Sequence, residues 1–256
     1  MAESTGSDKR SRLPWWPADR ARSGEREPLS RAQIVAAAIK LIDAEGLDGF
    51  SMRRLGQELG AGATSVYWHV RDKDQLIDLV LDEILAEVDW VDDPSKTWRE
   101  RSAGLAREFR AVLRRHPNLG SVFGSRLTLG PNTLFGIEKM LAILHEAGFE
   151  GTRLTLAFSA ILNFAMGTGI MESRGITGPE TEGKSPEEIN RMFIGMLEAL
   201  PDDEYPHLRR FIPESDYEEI SEDAQFEYGL QRMLDGIEAD LQAVRAADVE
   251  KEKRPG

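Results

Sequence analysis

GATSVYWHVRDKDQL, residues 62–76, places three large side chains with polar tips in a row at positions 67–69. Residues four apart lie on the same face of a helix, so Val66 and Val70 would point together into a core. The three rings and the hydroxyl side chains at positions 64–65 would then cover most of the remaining circumference. The spacing therefore predicts a short helix whose bulk faces outward, which is typical of a helix that binds something.

Capping signals divide the surrounding sequence into helices. Ser30 and Asp72 are each followed three residues later by glutamine, which makes a capping box that starts a helix. Ser51 caps a second, short helix, MRRLGQEL, and Gly60 ends it before a glycine-containing turn leads into the opening stretch. Two helices joined by such a turn form the helix-turn-helix pattern, in which the second helix lies in the major groove of DNA. A three-helix unit that only packs is the alternative.

The distribution of charge restricts where a polyanion could bind. The chain has 256 residues and a net charge of −13. Residues 1–73 carry 12 Lys or Arg against 10 Asp or Glu, a balance of +2, whereas residues 74–256 carry 20 against 35, a balance of −15. Contact with DNA is therefore expected only for the N-terminal part, because the acidic remainder would be repelled by phosphates.

The first 28 residues are rich in Arg, Ser, Pro and Gly and have no helical or strand period, so they predict a flexible basic arm. Residues 9–26 hold six Lys or Arg against two Asp or Glu, a balance of +4. Such an arm could enter the adjacent minor groove of DNA, where arginine is favoured. The candidate contacts are Arg10, Arg12, Arg20 and Arg22. A solvated tail without a function is the alternative.

Several classes of function are disfavoured by composition. The chain has no cysteine, and its four histidines show no spacing typical of metal ligands, so we predict neither a metal nor a cofactor. The N-terminus lacks the apolar segment of a secretory signal. We expect no apolar run to approach the roughly 18 residues that a membrane span needs. These observations favour a cytoplasmic protein without a membrane partner.

Beyond residue 94 every informative window has a helical period, so the sequence predicts an all-α fold. The stretch 152–173 is apolar almost all round and contains many small residues. The last predicted helix, 216–246, carries apolar residues at helical spacing: Phe226, Leu230, Met233, Leu234, Ile237 and Leu241. The predicted organisation is an arm (1–28), a helix-turn-helix domain (29–73), a helical ligand-binding and dimerisation domain (74–248) and a charged tail (249–256).

Residues 30–90 resemble the DNA-binding domain of the tetracycline-repressor (TetR) family. The resemblance is carried by SRAQIVAAAIKLIDAEGLDGFSMRRLGQELGAGATSVYWHVRDKDQLIDLVLDEIL, above all by LG followed by SVYWHVRDKDQL. The sequence from Trp98 through RRHP and EAGF to Phe164 is similar, through weaker motifs, to the C-terminal domain of the tetracycline-repressor subgroup. The resemblance implies a homodimeric transcription regulator that binds a palindromic operator in double-stranded DNA.

In the family, the helices that correspond to 152–173 and 216–246 form a four-helix bundle with the same pair of a second subunit. Packing within one chain is the alternative. The positions that match DNA-contacting residues are Arg53, Thr64, Ser65, Tyr67, Trp68, His69 and Lys73. The arginine matches a base or phosphate contact, the two hydroxyl residues match base-facing positions, the three rings match residues that pack on the sugar-phosphate backbone, and the lysine matches a phosphate clamp. Ala63 stands where the tetracycline repressors carry a long amide side chain that reads a base, so their operator sequence is not implied.

The resemblance also implies a small-molecule effector bound in the C-terminal domain. Candidate lining residues are aromatic or methionine side chains with one polar anchor: Trp90, Phe109, Phe123, Phe135, Asn163, Phe164, Met166 and Met171. Ordinary core packing is the alternative for each. Val122 stands where the tetracycline repressors place a metal-binding histidine, and Met171 where they use an acidic residue, so magnesium-tetracycline is disfavoured as a ligand.

The sequence thus favours a homodimeric repressor that an apolar small molecule releases from its operator. A ligand-binding or scaffold protein without specific operator binding is the first alternative. An enzyme is the second, although the sequence contains no nucleophile motif, metal-ligand spacing or cofactor loop.

Overall fold

The computed structural model describes residues 29–124, 126, 128–174, 183–201, 203–211 and 221–252. Every regular element within these residues is helical, which confirms the predicted all-α fold. The helices up to the middle of the chain are α1 Arg31–Gly49, α2 Met52–Glu58, α3 Ala63–Tyr67, α4 Lys73–Ile84 with a 3-10 turn Leu85–Glu87, α5 Trp98–Arg115, α6 Pro117–Phe123 and α7 Pro131–Glu146. The later helices are α8 Gly151–Arg174, α9 Pro186–Glu198, α10 Pro206–Phe211 and α11 Glu222–Glu252.

The predicted helix starts are confirmed by their hydrogen bonds. At α1 the hydroxyl of Ser30 accepts from the backbone N–H of Gln33, whose side chain accepts from the backbone N–H of Ser30. The hydroxyl of Ser51 accepts from the backbone N–H of Arg54 at the start of α2. Gly46 forms a kink within α1, because this residue has φ 75° and a further turn continues to Gly49. A positive φ of this kind strongly favours glycine.

Helix α4 connects two parts of one compact unit. It packs against α1 on one side and against α7 on the other. Its apolar face is fully buried at Leu76, Val80 and Ile84. The chain divides into two compact units after Ser173, and the domain boundary predicted at residue 73 stays a prediction.

A polar joint connects α1 with the junction of α5 and α6. The two ring nitrogens of His116 lie 2.8 Å from the Asp43 carboxylate on α1 and 3.1 Å from the Glu87 carboxylate on the 3-10 turn. The side-chain amide of Asn118 donates to the carbonyls of Ile42 (3.0 Å) and Asp43 (3.2 Å). Helix α5 ends directly before His116 and Pro117, and this break presents the side chains of His116 and Asn118 to α1.

Helix α8 corrects the expectation about apolar length. Its stretch Gly151–Ser173 reaches a mean hydropathy of 1.6 and is long and apolar enough to cross a membrane by length and composition, although one such helix is weak evidence of a span. Only 22% of that apolar window is buried within the chain. An ion pair fixes one side of α8, because the Arg110 guanidinium on α5 donates to both oxygens of Glu172 at 2.7 and 2.8 Å.

The second compact unit contains α9, α10 and α11. A capping box at Ser185 begins α9, and the guanidinium of Arg209 on α10 donates to the carbonyls of Glu198 (2.7 Å) and Leu200 (2.6 Å) at its end. Within α11, the predicted apolar stripe is buried at Phe226, Leu230, Leu234 and Leu241. The helix continues to Glu252, past the predicted start of the tail at residue 249.

Candidate DNA-binding surface and ligand cavity

Helix α3 turns most of its surface outward. Val66 and Val70 are buried, whereas Thr64 and Ser65 are exposed. Of the neighbouring rings, Tyr67 is 49% exposed and Trp68 is 83% exposed, an unusual degree for a tryptophan. The structure therefore gives these residues the outward orientation that base and backbone contacts require. Their contact with DNA stays a prediction.

The backbone of α2 approaches α3 closely at Gly56, a residue that the sequence did not single out. A Cβ atom at this position would lie 2.9 Å from the backbone nitrogen of Ala63 and 3.0 Å from the carbonyl oxygen of Ala61. Any larger residue would force α2 and α3 apart. Because α3 has only five residues, this contact sets where its first turn lies.

The other end of α3 is held by a hydrogen bond from α1. The guanidinium of Arg31 donates to the carbonyl oxygen of His69 at 3.2 Å. His69 itself is half-buried, which leaves its ring less available to the surface than those of Tyr67 and Trp68. Helix α3 is thus positioned by α2 at its start and by α1 just beyond its end.

Lys73 and Arg53, two basic residues that are predicted to contact DNA, differ in their surroundings within the chain. The ammonium group of Lys73 donates to the carbonyl oxygen of Phe50 at 2.9 Å and lies 5.4 Å from the centre of the Phe50 ring. Lys73 therefore anchors the start of α4, and its predicted phosphate contact would have to use its remaining donors. Arg53 is exposed near the start of α2, as a contact to DNA requires. The four arginines predicted in the arm lie outside the described residues.

Arg54, directly after Arg53, has a structural role instead. Its guanidinium donates to the carboxylate of Glu45 at 2.7 Å and to that of Glu58 at 3.1 Å. These hydrogen bonds, first the one with Glu45, raise the pKa of Arg54. Of two adjacent arginines, one is committed to the fold and the other faces solvent.

An apolar cavity of about 270 Å³ lies in the same compact unit as α3. Its wall is formed by the turn after α4, by α5, α7 and α8, and by residues between α6 and α7. Four predicted ligand-binding residues line it: Trp90, Phe109, Phe123 and Met166. The rings of Phe109 and Phe123 meet edge to face with centroids 5.8 Å apart. Their contact with an effector stays a prediction.

The other four predicted residues do not lie in the cavity wall. Phe135 is 49% exposed and packs its ring edge-on against Trp90 at 6.3 Å, on the outside of the wall. Asn163 is exposed, Phe164 is half-buried and Met171 is 75% exposed. The reason is helical rotation, because α8 is apolar on several faces and only one of them can face the cavity.

The lining residues that the sequence interpretation missed come mainly from α7 and α8. On α8 they are Phe158, Ile161, Leu162 and Ala165, whose spacing of three and four defines one helix face. On α7 they include Gly136, where a Cβ atom would overlap the Trp90 ring. The same-face spacing was the available signal on α8. For Gly136 the sequence contained none, because its partner lies 46 residues away.

Few polar side chains line the cavity, and those of Trp90 and Arg126 are hydrogen-bonded within the chain. The Trp90 indole N–H donates to the carbonyl oxygen of Leu85 at 3.2 Å. The guanidinium of Arg126 donates to the carboxylates of Asp78 (2.8 Å) and Asp74 (3.1 Å) on α4, which raises the pKa of Arg126, mostly through Asp78. The wall therefore favours a ligand that is mainly apolar.

Two family models cover most of the chain. The model of bacterial regulatory proteins of the tetR family matches residues 34–80, and the tetracyclin repressor-like C-terminal domain matches residues 92–241. The chain belongs to the TetR family. It is a DNA-binding regulator of transcription and not an enzyme, as the sequence predicted.

Individual relatives agree with this assignment. The HTH-type transcriptional repressor DrrR1 of Streptomyces coeruleorubidus is 34% identical over 246 residues, which is 92% of this chain and 88% of the relative. The class A tetracycline repressor from transposon 1721 of Escherichia coli is 30% identical over 80% of this chain and 88% of its own length. The crystal structure of Streptomyces coelicolor ActR in complex with actinorhodin matches with a TM-score of 0.72 and 30% identity, covering 84% of this chain and 98% of that one.

Proposed function

We propose that this regulator is a cytoplasmic homodimeric repressor that binds a palindromic operator and leaves it when an apolar aromatic molecule occupies the cavity. The observation that carries the proposal is the presence, in one compact unit, of an outward-facing recognition helix and an apolar cavity of about 270 Å³. Helix α4 contacts both the α1 side and the α7 side of this unit. A change at the cavity therefore has a physical route to the DNA-binding helices.

The dimer is supported by the surface of α8. Most of its apolar window is not covered within the chain, and Leu156 is 63% exposed. At Gly167 an added Cβ atom would meet nothing within 4 Å, so a second helix could approach the backbone there. Covering this surface with the same helix of a second subunit also places two recognition helices on one duplex, as a palindromic operator demands.

The effector class follows from the rings in the wall. Trp90, Phe109, Phe123 and Phe158 line the cavity, and such rings stack or pack edge-on against a planar ligand. ActR, with actinorhodin in its structure, shows that a protein of this fold and 30% identity accommodates a small molecule. Repression is proposed as the sign of regulation because DrrR1 is named a repressor.

The arm of residues 1–28 is proposed to add contacts to phosphates. Deleting residues 1–27 should flatten the dependence of log affinity on log salt by about 3 to 4 if two arms make two contacts each, because each neutralised phosphate contributes about 0.9. An unchanged slope would show that the arm is an inert tail.

The central experiment selects duplexes from a random library with the purified chain and then displaces the protein from the selected duplex. We expect enrichment of an inverted repeat bound by two chains, and release of the protein by at least one member of a panel of aromatic compounds that includes actinorhodin, the molecule in the ActR structure. If no duplex is enriched, the chain is a ligand-binding or scaffold protein. If a single half-site is enriched and bound by one chain, the homodimer proposal is wrong.

A further inference from the structure

Asp82 lies near the end of α4 and is only 5% exposed. Its Oδ1 accepts hydrogen bonds from the backbone N–H (2.9 Å) and the hydroxyl (2.8 Å) of Thr133. Its Oδ2 accepts from the backbone N–H and the side-chain amide of Asn132, both at 3.3 Å. The same amide also donates to the Asp82 carbonyl oxygen at 3.1 Å. Both oxygens of a buried carboxylate are therefore used, and all their partners lie in the first turn of α7.

Through these contacts Asp82 on α4 supplies the side-chain cap for the N-terminus of α7. The first backbone N–H groups of a helix lack partners within it, and a negative charge is favoured at that end. At α7 the residue in the capping position is Gly130, which has no side chain to offer. Gly130 also leaves room for the carboxylate, because a Cβ atom there would overlap the Asp82 side chain. The cap of α7 is thus supplied by α4.

The capped turn of α7 is part of the cavity wall. Thr133, Gly136 and Ile137 line the cavity from the first two turns of α7. At its other end, α4 starts at Lys73, six residues after α3 ends at Tyr67. A molecule that displaces the first turn of α7 must either separate these donors from Asp82 or move α4 with them. Stripping a buried carboxylate of its donors is costly, whereas a packed helix can shift as a rigid body.

A second polar link between α4 and the cavity wall is weaker because it is more exposed to solvent. Arg126 is bound by the side chains of Asp78, which is 39% exposed, and Asp74, which is 80% exposed. Ion pairs at this exposure are screened by water and separate at little cost. Of these two links, the buried one at Asp82 is the harder to separate.

We propose that Asp82 is the positioning residue that couples the cavity wall at α7 to the DNA-binding helices through α4. The inference rests on the proposed function, because it concerns how effector and operator influence each other. Coupling of this kind is reciprocal, so binding of DNA at α3 must also change the first turns of α7. This reciprocity allows a test with DNA alone, before an effector is known.

The test measures amide hydrogen exchange in residues 131–140 with and without the duplex selected as described above. In the unsubstituted chain we expect the duplex to slow exchange there by about fivefold, the lower range for coupled sites. Asp82→Asn keeps the size of the side chain but presents an NH₂ group to the donors of α7. In this variant the ratio of the exchange rates in residues 131–140 without and with the duplex should fall close to one, while the duplex still slows exchange at α3. Asp74→Asn is the matched control on the same helix and should retain the full ratio.

Each outcome decides one point. Failure to select any duplex contradicts the proposed function. A duplex that slows exchange at α3 but leaves 131–140 unchanged in the unsubstituted chain, or changes it equally in Asp82→Asn, overturns the coupling alone. If thermal melting shows that Asp82→Asn is unfolded, Thr133→Val replaces it, because it removes one hydrogen bond to Asp82 and keeps the backbone cap. An intermediate ratio in Thr133→Val supports the coupling, and a full ratio overturns it.

Discussion

Helix α3 and the cavity wall both present aromatic rings, but these rings are held in place in opposite ways. On α3 the rings face solvent, and the helix is positioned by the close backbone approach at Gly56 and the hydrogen bond from Arg31. In the cavity wall the rings face inward and are positioned by packing of α5, α7 and α8 around them. A surface that contacts an outside partner has no packing on its functional side, so its backbone must be fixed from behind. Side chains that enclose a cavity are instead held in place by their packing against the neighbouring helices.

This difference predicts that DNA binding and ligand binding are sensitive to different kinds of substitution. DNA binding should be lost when the backbone of α3 moves, even if none of its outward side chains is altered. Ligand binding in the cavity should be weakened when side-chain volume is added or removed in its wall, even if the backbone there stays in place. The following substitutions test the contrast, beginning with the one expected to have the largest effect.

Gly56→Ala should abolish specific DNA binding. The added methyl group would lie 2.9 Å from the Ala63 nitrogen and would push α3 away from its position. Loss of the base contacts leaves only non-specific affinity, a reduction of about a thousandfold or more. Operator binding measured by fluorescence anisotropy checks this. Gly104→Ala is the control, because a Cβ atom there meets nothing within 4 Å. Normal binding by Gly56→Ala would show that α3 is not positioned by α2.

Gly136→Ala should impair the cavity and leave DNA binding within about threefold of normal. The methyl group would overlap the Trp90 ring and push it into the cavity, and overpacking of this kind costs about 1–3 kcal/mol. The affinity for the tightest-binding aromatic compound should fall by about tenfold or more, measured by calorimetry. Gly62→Ala, whose new methyl group has open space, should bind the compound normally. Equal affinities in both variants would place the ligand elsewhere.

Lys73→Ala and Thr64→Ala should separate positioning from base recognition. We expect Lys73→Ala to weaken binding to all duplexes about equally, because a phosphate contact and the bond to Phe50 carry no base information. Thr64→Ala should change preference at one base pair by about 1–3 kcal/mol. Competition binding against duplexes with single base-pair changes measures both effects. The assignment fails if the two variants lose specificity to the same degree.

The smallest effect concerns an ion pair whose two residues, Arg101 and Asp92, do not line the cavity and do not lie on α3. The Arg101 guanidinium donates to both oxygens of Asp92, at 2.6 and 2.5 Å, and this hydrogen bonding lowers the pKa of Asp92. A lowered pKa in the folded state gives stability that is complete above the ordinary aspartate pKa of about 3.9 and is lost as pH falls through the lowered value. Asp92→Asn should therefore cost about 1 kcal/mol at pH 7, or about 2–4 °C in melting temperature. Calorimetric melts from pH 7 to 3 should show the gap closing below about pH 4, and a constant gap would contradict the ionic origin.

Local chemistry made much of the fold predictable. Capping residues such as Ser30 and Ser51, and the spacing of Val66 and Val70, act within one helix, so the sequence displays them directly. The outward orientation of Tyr67 and Trp68 followed from the same spacing.

The positioning contacts were not predictable, because they join residues from different helices. Gly56 against Ala63 and Gly136 against Trp90 show in the sequence only as ordinary glycines. Only half of the residues predicted to line the cavity do so, for a related reason. A helix such as α8, apolar on several faces, does not reveal which face borders a space, so Met166 lies in the wall while Met171 lies outside it.

The length of α3 has a consequence for engineering. Five residues, Ala63–Tyr67, are too few to nucleate a helix in water. A peptide copied from this stretch would therefore present no recognition surface. Transplanting its specificity into another scaffold requires the glycine of α2 that admits α3, the arginine of α1 that holds its far end and the lysine that anchors α4, and a graft of the outward side chains alone should bind DNA without preference.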